Sequence, residues 1–476
     1  MARFSLERLR SFFNPRSIAL IGASDKSSWS LTVYNALTEH GFDGRVHYVN
    51  PRSPNVHGQP ASPSISAIGE PIDLGFVMLP RDGVIPTIRE LAACGVPNAI
   101  VISAGFAEQD DIGRVAQAEL VDIARSSDMA VLGPNCLGFV NVQSRVEAFP
   151  STFDHPLLAG PIGLVAQSGG LAATIMNYAR MHNVGLNYLI TTGNEAVLTV
   201  ADVMRFLIED PAIKVVALVI ESIRDVAAFT AGAQRALEIG KPIVALKMAC
   251  TPLGKRLAFA HTASDAGDDV EMDDYLSSNA VVRVASLEEL VLTAGVMAKT
   301  GVVRGKRLGF VSISGGACEI VADAAVKAGI DLPALADSTR DQLQELLPVS
   351  CGYNPLDTTG TAVTSRDLMA LMLSVVGSDP SLDLLLCNQT IPNPGTPGAD
   401  SLMDMLASIV PALREMPCST FLVDRMHLPI ADETRTFIAE NNIPFLSGGL
   451  QQVIPAIGRA IWWSEKYRAR SSGPIE

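Results

Sequence analysis

Short runs of β-branched and aliphatic residues recur along this 476-residue chain. Each is followed by a stretch whose apolar positions return every three or four residues. That alternation predicts repeated strand–helix units around parallel sheets, whose strands are buried on both faces and so read as unbroken apolar runs. A first series predicts strands at 17–22, 46–49, 74–79, 99–102 and 130–132, with a helix over 29–40. It closes at Gly133-Pro134-Asn135-Cys136-Leu137-Gly138, and residues 141–161, with three prolines and few apolar repeats, are expected to form a linker. A second series predicts strands at 162–166, 187–190, 215–220 and 243–246, then a small polar loop over 253–264, a helix over 287–299 and a turn over 301–306. A third opens at 307–313, continues through strands near 384–387 and 419–423, and ends in an amphipathic helix over 451–463 and a polar tail. The second and third series open alike, with a strand, Ser-Gly-Gly and an alanine-rich helix, which reads either as an internal duplication or as two uses of one common turn.

Composition narrows the class. Apolar residues make up 48% of the chain and aromatics only 5%, so the cores are built mainly from Ala, Val, Ile and Leu. A net charge of −14 turns the reading away from nucleic acid and anionic membranes as partners, while a local nest of N–H groups still suits a phosphorylated ligand. Seven cysteines, Cys94, Cys136, Cys250, Cys318, Cys351, Cys387 and Cys418, include no CxxC pair. They read as reduced packing residues rather than a disulfide framework or zinc site, and no metal is called for. The first sixteen residues lack the long apolar stretch of a secretory signal, and no run reaches the roughly 18 apolar residues of a membrane span. A soluble, cytoplasmic protein is expected.

Gly22-Ala23-Ser24 follows the first strand and precedes a helix, an arrangement that turns backbone N–H groups and a positive helix end towards a phosphate. The complete GxGxxG fingerprint is absent, and the second strand ends in Asn50-Pro51-Arg52 where a dinucleotide site would carry an acid. That weakens an NAD reading and favours a ligand with a further phosphate near Arg52. Ser103-Ala104-Gly105 and Gly133-Pro134-Asn135 follow two more strands on the same sheet edge; each such turn serves either a ligand or only the reversal of the chain. Ser168-Gly169-Gly170 and Ser314-Gly315-Gly316 are two further strand-to-helix turns. Glu221 ends the strand 215–220, and His261 lies in the polar loop. A neutral imidazole steadied by a carboxylate is a nucleophile near neutral pH, and two helix N-termini suit the anion it would form, at about 0.3–2 kcal/mol per helix end. By spacing alone a lone histidine in a loop is usually just a surface residue.

As an ordered set over about residues 12–360, these pieces resemble the CoA-ligase (alpha-type) subunits of the nucleoside-diphosphate-forming acyl-CoA synthetases, relatives of succinyl-CoA synthetase and ADP-forming acetyl-CoA synthetase. The matching pieces include Ile21-Gly22-Ala23-Ser24, Val49-Asn50-Pro51, Ser103-Ala104-Gly105-Phe106, Gly133-Pro134-Asn135, Gln167-Ser168-Gly169-Gly170, Gly193-Asn194, Glu221-Ser222, Lys247, His261-Thr262 and Asn354-Pro355-Leu356-Asp357. The resemblance implies an α/β protein with a Rossmann-like CoA-binding domain (1–145) followed by two flavodoxin-like doubly wound domains (146–303 and 304–476). It implies phosphorylation of His261 with Glu221 as partner, phosphate binding by Ser168, Gly169, Gly170, Ser314, Gly315 and Gly316, and CoA binding by Gly22, Ala23, Ser24, Asn50, Pro51, Arg52, Ser103, Ala104, Gly105 and Asn135. The phosphoryl group would pass to a small carboxylic acid, and CoA would attack the acyl phosphate. ATP/ADP or GTP/GDP, with Mg, would belong to a separate ATP-grasp beta-type subunit in a hetero-oligomer. Asn194, Glu195 and Asn354 are candidates to line the acid's pocket.

The chain departs from the family pattern at Ala260-His261-Thr262-Ala263, where relatives carry Ser-His-Thr-Gly, and at Asp25, Lys26 and Trp29, where relatives have small residues. Two further readings follow: a CoA-binding regulatory subunit without phosphoryl transfer, and an acyl or carbamoyl transferase that uses acyl phosphate without ATP.

Overall fold

The computed structural model describes residues 3–262, 267–348, 352–360 and 366–471, the side chains of 259–262, 366–367 and 471 excepted. The chain folds as two compact units, residues 1–177 with 185–287 and residues 178–184 with 288–476. The architecture is α/β, built on three largely parallel sheets.

The first unit holds two seven-stranded sheets. In the first, β1 (Ser17–Ile21), β2 (Arg45–Val49), β3 (Asn55–Val56), β4 (Gln59–Ser62), β5 (Leu74–Val77), β6 (Asn98–Val101) and β7 (Ala130–Leu132) run in the order β3-β4-β2-β1-β5-β6-β7. All pairs are parallel except the β3–β4 edge. Every residue of β1, β5, β6 and β7 is buried, as burial on both faces by helices requires.

The second sheet contains β8 (Phe139–Asn141), β9 (Val146–Ala148), β10 (Ile162–Ala166), β11 (Leu186–Thr191), β12 (Val215–Ile220), β13 (Ile243–Lys247) and β14 (Val281–Val284), in the order β14-β13-β12-β10-β11-β8-β9. Its central strands are parallel, and β8 and β9 add an antiparallel hairpin to the β11 edge. The stretch expected as a linker therefore supplies sheet residues at its start. Asn141 explains part of this: its Nδ2 donates to Phe13 O (2.9 Å) and its Oδ1 accepts from Ser144 N (3.1 Å), satisfying a polar side chain inside the fold. Phe13 meets Phe139 edge-on at 5.2 Å and stacks on Phe206 at 5.0 Å. These rings, each worth about 1.5–3 kcal/mol when buried, join helix Leu6–Phe13, the hairpin and helix Val200–Glu209 in one core shared by the two sheets.

In the second unit β15 (Leu308–Ser312), β16 (Leu356–Asp357), β17 (Leu384–Asn388), β18 (Ser419–Val423) and β19 (Phe445–Leu446) form a wholly parallel sheet, order β16-β15-β17-β18-β19. Cys136, Cys318, Cys387 and Cys418 are buried as expected of packing residues, but Cys94 is exposed, at the C-cap of helix Arg81–Ala93; Cys351 lies outside the described residues. Among the described residues no helix is long and apolar enough to cross a membrane.

Candidate functional site

Each sheet reverses its strand order at the strand that opens its series. β1 lies between β2 and β5, β10 between β11 and β12, and β15 between β16 and β17. In open α/β sheets the ligand crevice forms outside the carboxyl ends of the strands at such a switch point. The turns at 22–24, 168–170 and 314–316 follow those three strands.

At the first turn Gly22 has φ +83°, and a Cβ there would stand 2.8 Å from both Leu79 Cδ2 and Met78 O. Only glycine fits so close an approach in that conformation. Gly22 N donates to Val49 O (3.1 Å) and Ser24 N to Ser30 Oγ (3.0 Å), so two N–H groups that the pattern offered to a phosphate are engaged within the fold. Asn50 also serves the turn itself: Nδ2 donates to Ala23 O (2.8 Å), while Oδ1 accepts from Arg52 N (2.8 Å) and Ser53 N (3.1 Å). Ala23 is buried, whereas Pro51 and Arg52 are exposed. Trp29, at the start of the following helix, is 47% exposed.

Ser103 Oγ donates to Leu79 O, and Ser103 O accepts from Asn135 N (3.0 Å). Leu79 thus ties the second turn to the first. Gly105, at φ +97°, donates to Glu108 Oε1 (2.6 Å), and its carbonyl accepts from Arg81 Nη1 (2.9 Å); Ala104 is exposed. Asn135 Nδ2 donates to Asn194 Oδ1 (3.3 Å), and Asn194 Nδ2 donates to Glu108 Oε2 (2.5 Å) and Gln117 Oε1 (3.0 Å). Through Asn194 the polar edge of the first sheet joins that of the second.

On the second edge, Gln167 is the organising residue. Its Nε2 donates to Glu195 Oε1 (3.0 Å) and Ser222 O (2.9 Å); its Oε1 accepts from Glu221 N and from Ser222 N (3.2 Å). This bridge fixes the end of β12, where Glu221 is buried, against the end of β10, where Ser168 and Gly169 are half-buried and Gly170 is exposed. Glu195 adopts φ +54°, and its Oε1 also accepts from Thr192 Oγ1 (2.9 Å) and Val200 N (3.1 Å). Its buried Oε2 has no hydrogen-bond partner among the described residues, with Arg224 Nε 3.9 Å away. Burial pushes the Glu195 carboxyl up, opposed by the Gln167 and Thr192 hydrogen bonds and the Arg224 charge. Burial likewise lowers the Lys247 ammonium, whose Nζ donates to Met248 O. A Cβ on Gly169 would stand 2.6 Å from Leu137 Cγ, whereas one on Gly170 meets nothing within 4 Å. The first glycine serves packing and the second borders open space.

His261 does not lie in a loop: it belongs to the last turn of helix Pro252–Thr262. Pro252 opens that helix at the position where its missing N–H is harmless, a start signal masked by Gly254 two residues on. The expected contact of the His261 ring with Glu221 falls outside the described residues.

The third turn belongs to the second unit. Ser314 caps helix Gly315–Lys327, its side chain accepting from Ala317 N (3.4 Å). Ser314 N donates to Ser312 Oγ (3.1 Å), and that hydroxyl donates to Asn388 Oδ1 (3.1 Å). A Cβ on Gly316 would again meet nothing within 4 Å, but one on Gly315 would stand 3.0 Å from Asp357 Oδ2. That carboxylate at a positive helix end competes with any anion there, a feature the sequence pattern did not expose. Asn354 is used by the fold: Nδ2 donates to Leu308 O (2.8 Å) and Pro333 O (3.0 Å), and Oδ1 accepts from Phe310 N (3.1 Å).

Residues 16–142 match the family model of a CoA binding domain, and residues 159–297 that of a succinyl-CoA ligase like flavodoxin domain. The chain is 31% identical over 383 residues to the alpha subunit of an ADP-forming acetate–CoA ligase II from Pyrococcus furiosus, covering 80% of this chain and 82% of that subunit. It is 31% identical over 404 residues to a trans-feruloyl-CoA synthase from an unknown prokaryotic organism, covering 83% of this chain and 57% of the synthase. The chain thus spans about three fifths of the length of such longer relatives. A solved structure of a dinucleotide-forming acetyl-coenzyme A synthetase 1 from Ca. Korarchaeum cryptofilum, in complex with phosphate and ADP, superposes with a TM-score of 0.85 at 26% identity and covers 99% of each chain.

Proposed function

We propose, for a chain that belongs to the alpha-type CoA-ligase subunits of the nucleoside-diphosphate-forming acyl-CoA synthetases, that it binds coenzyme A and carries a phosphoryl group on His261 to a carboxylic acid. The observation that carries this reading is the Gln167 bridge. It sets the carboxylate-bearing end of β12 beside the Ser-Gly-Gly turn of β10, at the switch point of the sheet.

In the synthesis direction, a carboxylate oxygen of the acid attacks the phosphorus of phosphohistidine. The P–N bond breaks, and an acyl phosphate forms as the imidazole is released. The CoA sulfur then attacks the acyl carbon and inorganic phosphate leaves. Glu221 orients the imidazole and supports its cationic form; phosphate binding is assigned to Ser168, Gly169 and Gly170 at a helix start in the first unit, and to Ser314, Gly315 and Gly316 at a helix start in the second. Such transfer asks the protein for positioning and charge stabilisation above all. The CoA site is assigned to the first sheet edge, with Gly22, Ala23, Ser24, Asn50, Pro51, Arg52, Ser103, Ala104, Gly105 and Asn135 around it. In this reading 1–145 binds CoA, 146–303 carries the histidine and 304–476 completes the ligase. An ATP-grasp beta-type subunit in the cytoplasm supplies ATP or GTP with Mg.

Hydroxylamine trapping tests the reading. With an ATP-grasp partner, ATP and a carboxylic acid but no CoA, the chain should yield acyl hydroxamate, and the His261→Asn variant should yield none. Hydroxamate undiminished in that variant overturns it. A second reading, a CoA-binding regulatory subunit, draws on Asp357 beside Gly315. Calorimetric CoA binding without any phosphorylation of the chain would favour it.

A further inference from the structure

A second constellation lies within the first unit. His40 is the C-cap of helix Ser28–Glu39, Glu147 is the middle residue of β9, and His155 lies in the segment leading to β10. Their ligand atoms all fall within 4.8 Å of one another. His155 Nε2 is 3.5 Å from Glu147 Oε2. The His40 and His155 rings face each other with centroids 3.4 Å apart and planes 12° from parallel, so a shared ion requires one imidazole to turn about χ2 to bring both in-plane lone pairs to one point.

We propose that His40, Glu147 and His155 bind a divalent transition-metal ion of the zinc class, with water as a further ligand. Two imidazoles and a carboxylate form a borderline donor set suited to zinc, nickel or copper rather than calcium or magnesium. A tetrahedral ion with bonds of about 2.0–2.1 Å keeps its ligand atoms about 3.4 Å apart, close to the separation already present between His155 and Glu147. The Glu147 side chain is 4% exposed and that of His155 27%. The ion would therefore be anchored from within and open on one side, to a cavity of about 480 Å³ that Asn141, Arg145 and Pro156 also line. Arg145 adds one positive charge to the wall, and Glu39, on an adjoining pocket, one negative charge.

The site stands apart from phosphoryl transfer. A helix rises about 1.5 Å per residue, and His40 ends the helix whose beginning faces the Gly22–Ser24 turn. The ion acts instead as a clamp, tying the first sheet's helix to the hairpin of the second sheet.

Zinc titrated calorimetrically into the tag-free, chelator-stripped full chain should bind at one site and raise its melting temperature by mass action. Cobalt in its place should give the visible absorption of a four-coordinate ion without a thiolate charge-transfer band, which excludes exposed Cys94. His40→Ala and His155→Ala should each weaken binding at least about tenfold, the loss that even an outer-shell partner brings, and Glu147→Gln should do the same with little change in shape. Circular dichroism of the metal-free variants separates ligand loss from misfolding. Failure of the wild type to take up zinc saturably, or binding unchanged in a folded His40→Ala/His155→Ala double variant, overturns the proposal.

Discussion

Replacing Gln167 with alanine tests whether one amide holds the second sheet edge together. The side chain is 6% exposed and makes four hydrogen bonds, to Glu195 Oε1, to Ser222 O and from the backbone N–H groups of Glu221 and Ser222. At about 1 kcal/mol net for each, less about 1 kcal/mol regained by water entering the space, the variant should lose about 3 kcal/mol. In a unit of this size that corresponds to a fall of about 5–10 °C in the first unit's calorimetric transition. Gln167→Glu provides the control. It keeps acceptors for the two N–H groups but sets a carboxylate against buried Glu195, so its stability should improve as the pH falls and the pair takes up a proton. A loss below about 1 kcal/mol for Gln167→Ala, with no pH dependence in Gln167→Glu, would refute the reasoning.

Other outcomes follow from the same geometry. Gly169→Ala should cost about 1–3 kcal/mol through overpacking against Leu137, whereas Gly170→Ala, with nothing within 4 Å of its Cβ, should leave urea-induced unfolding within about 1 kcal/mol of wild type while reducing phosphorylation. In the second unit, burial pushes Asp424 up to about 7. Its folded form keeps a proton that the unfolded chain releases near pH 4, so this contribution to stability is full at low pH and is lost as pH rises towards 7, by about 4 kcal/mol. Burial and neighbouring His427 push His182 down to about 4. Its contribution has the opposite sign, present above about pH 6.5 and lost by about 3 kcal/mol as pH falls towards 4. Stability–pH profiles of Asp424→Asn and His182→Gln should therefore tilt in opposite directions. Arg52→Glu, at an exposed position, should weaken CoA binding measured by calorimetry with little change in melting temperature.

Much of the framework was legible in the chain. β1, β10, β12 and β15 are continuous apolar runs because helices cover both faces, and the Ser-Gly-Gly turns mark the exits of β10 and β15. Strand order was not legible, yet it is what turns three ordinary turns into switch points. The β8–β9 hairpin escaped notice because its strands are three residues long and carry Asn141 and Glu147, whose burial depends on tertiary partners. The helix containing His261 was hidden by Gly254 and the Lys255-Arg256 pair, which read as a loop. Asn50 and Asn354 looked like ligand groups, but the fold uses their amides to satisfy backbone groups. The positions of Asp357, Asp424 and the His182–His427 pair, with centroids 3.4 Å apart and planes tilted by 39°, depend on contacts between distant segments that no local spacing records.

The central claim is that the imidazole of His261 carries phosphate covalently. Phosphorus NMR of the full chain charged by an ATP-grasp partner, with the site mapped by mass spectrometry under alkaline conditions, tests it most directly. The account predicts a phosphoramidate signal localised to His261, removed by His261→Asn and discharged by a carboxylic acid together with CoA. A phosphoramidate on another residue, or a wild-type chain that stays unmodified beside an active partner, would contradict it.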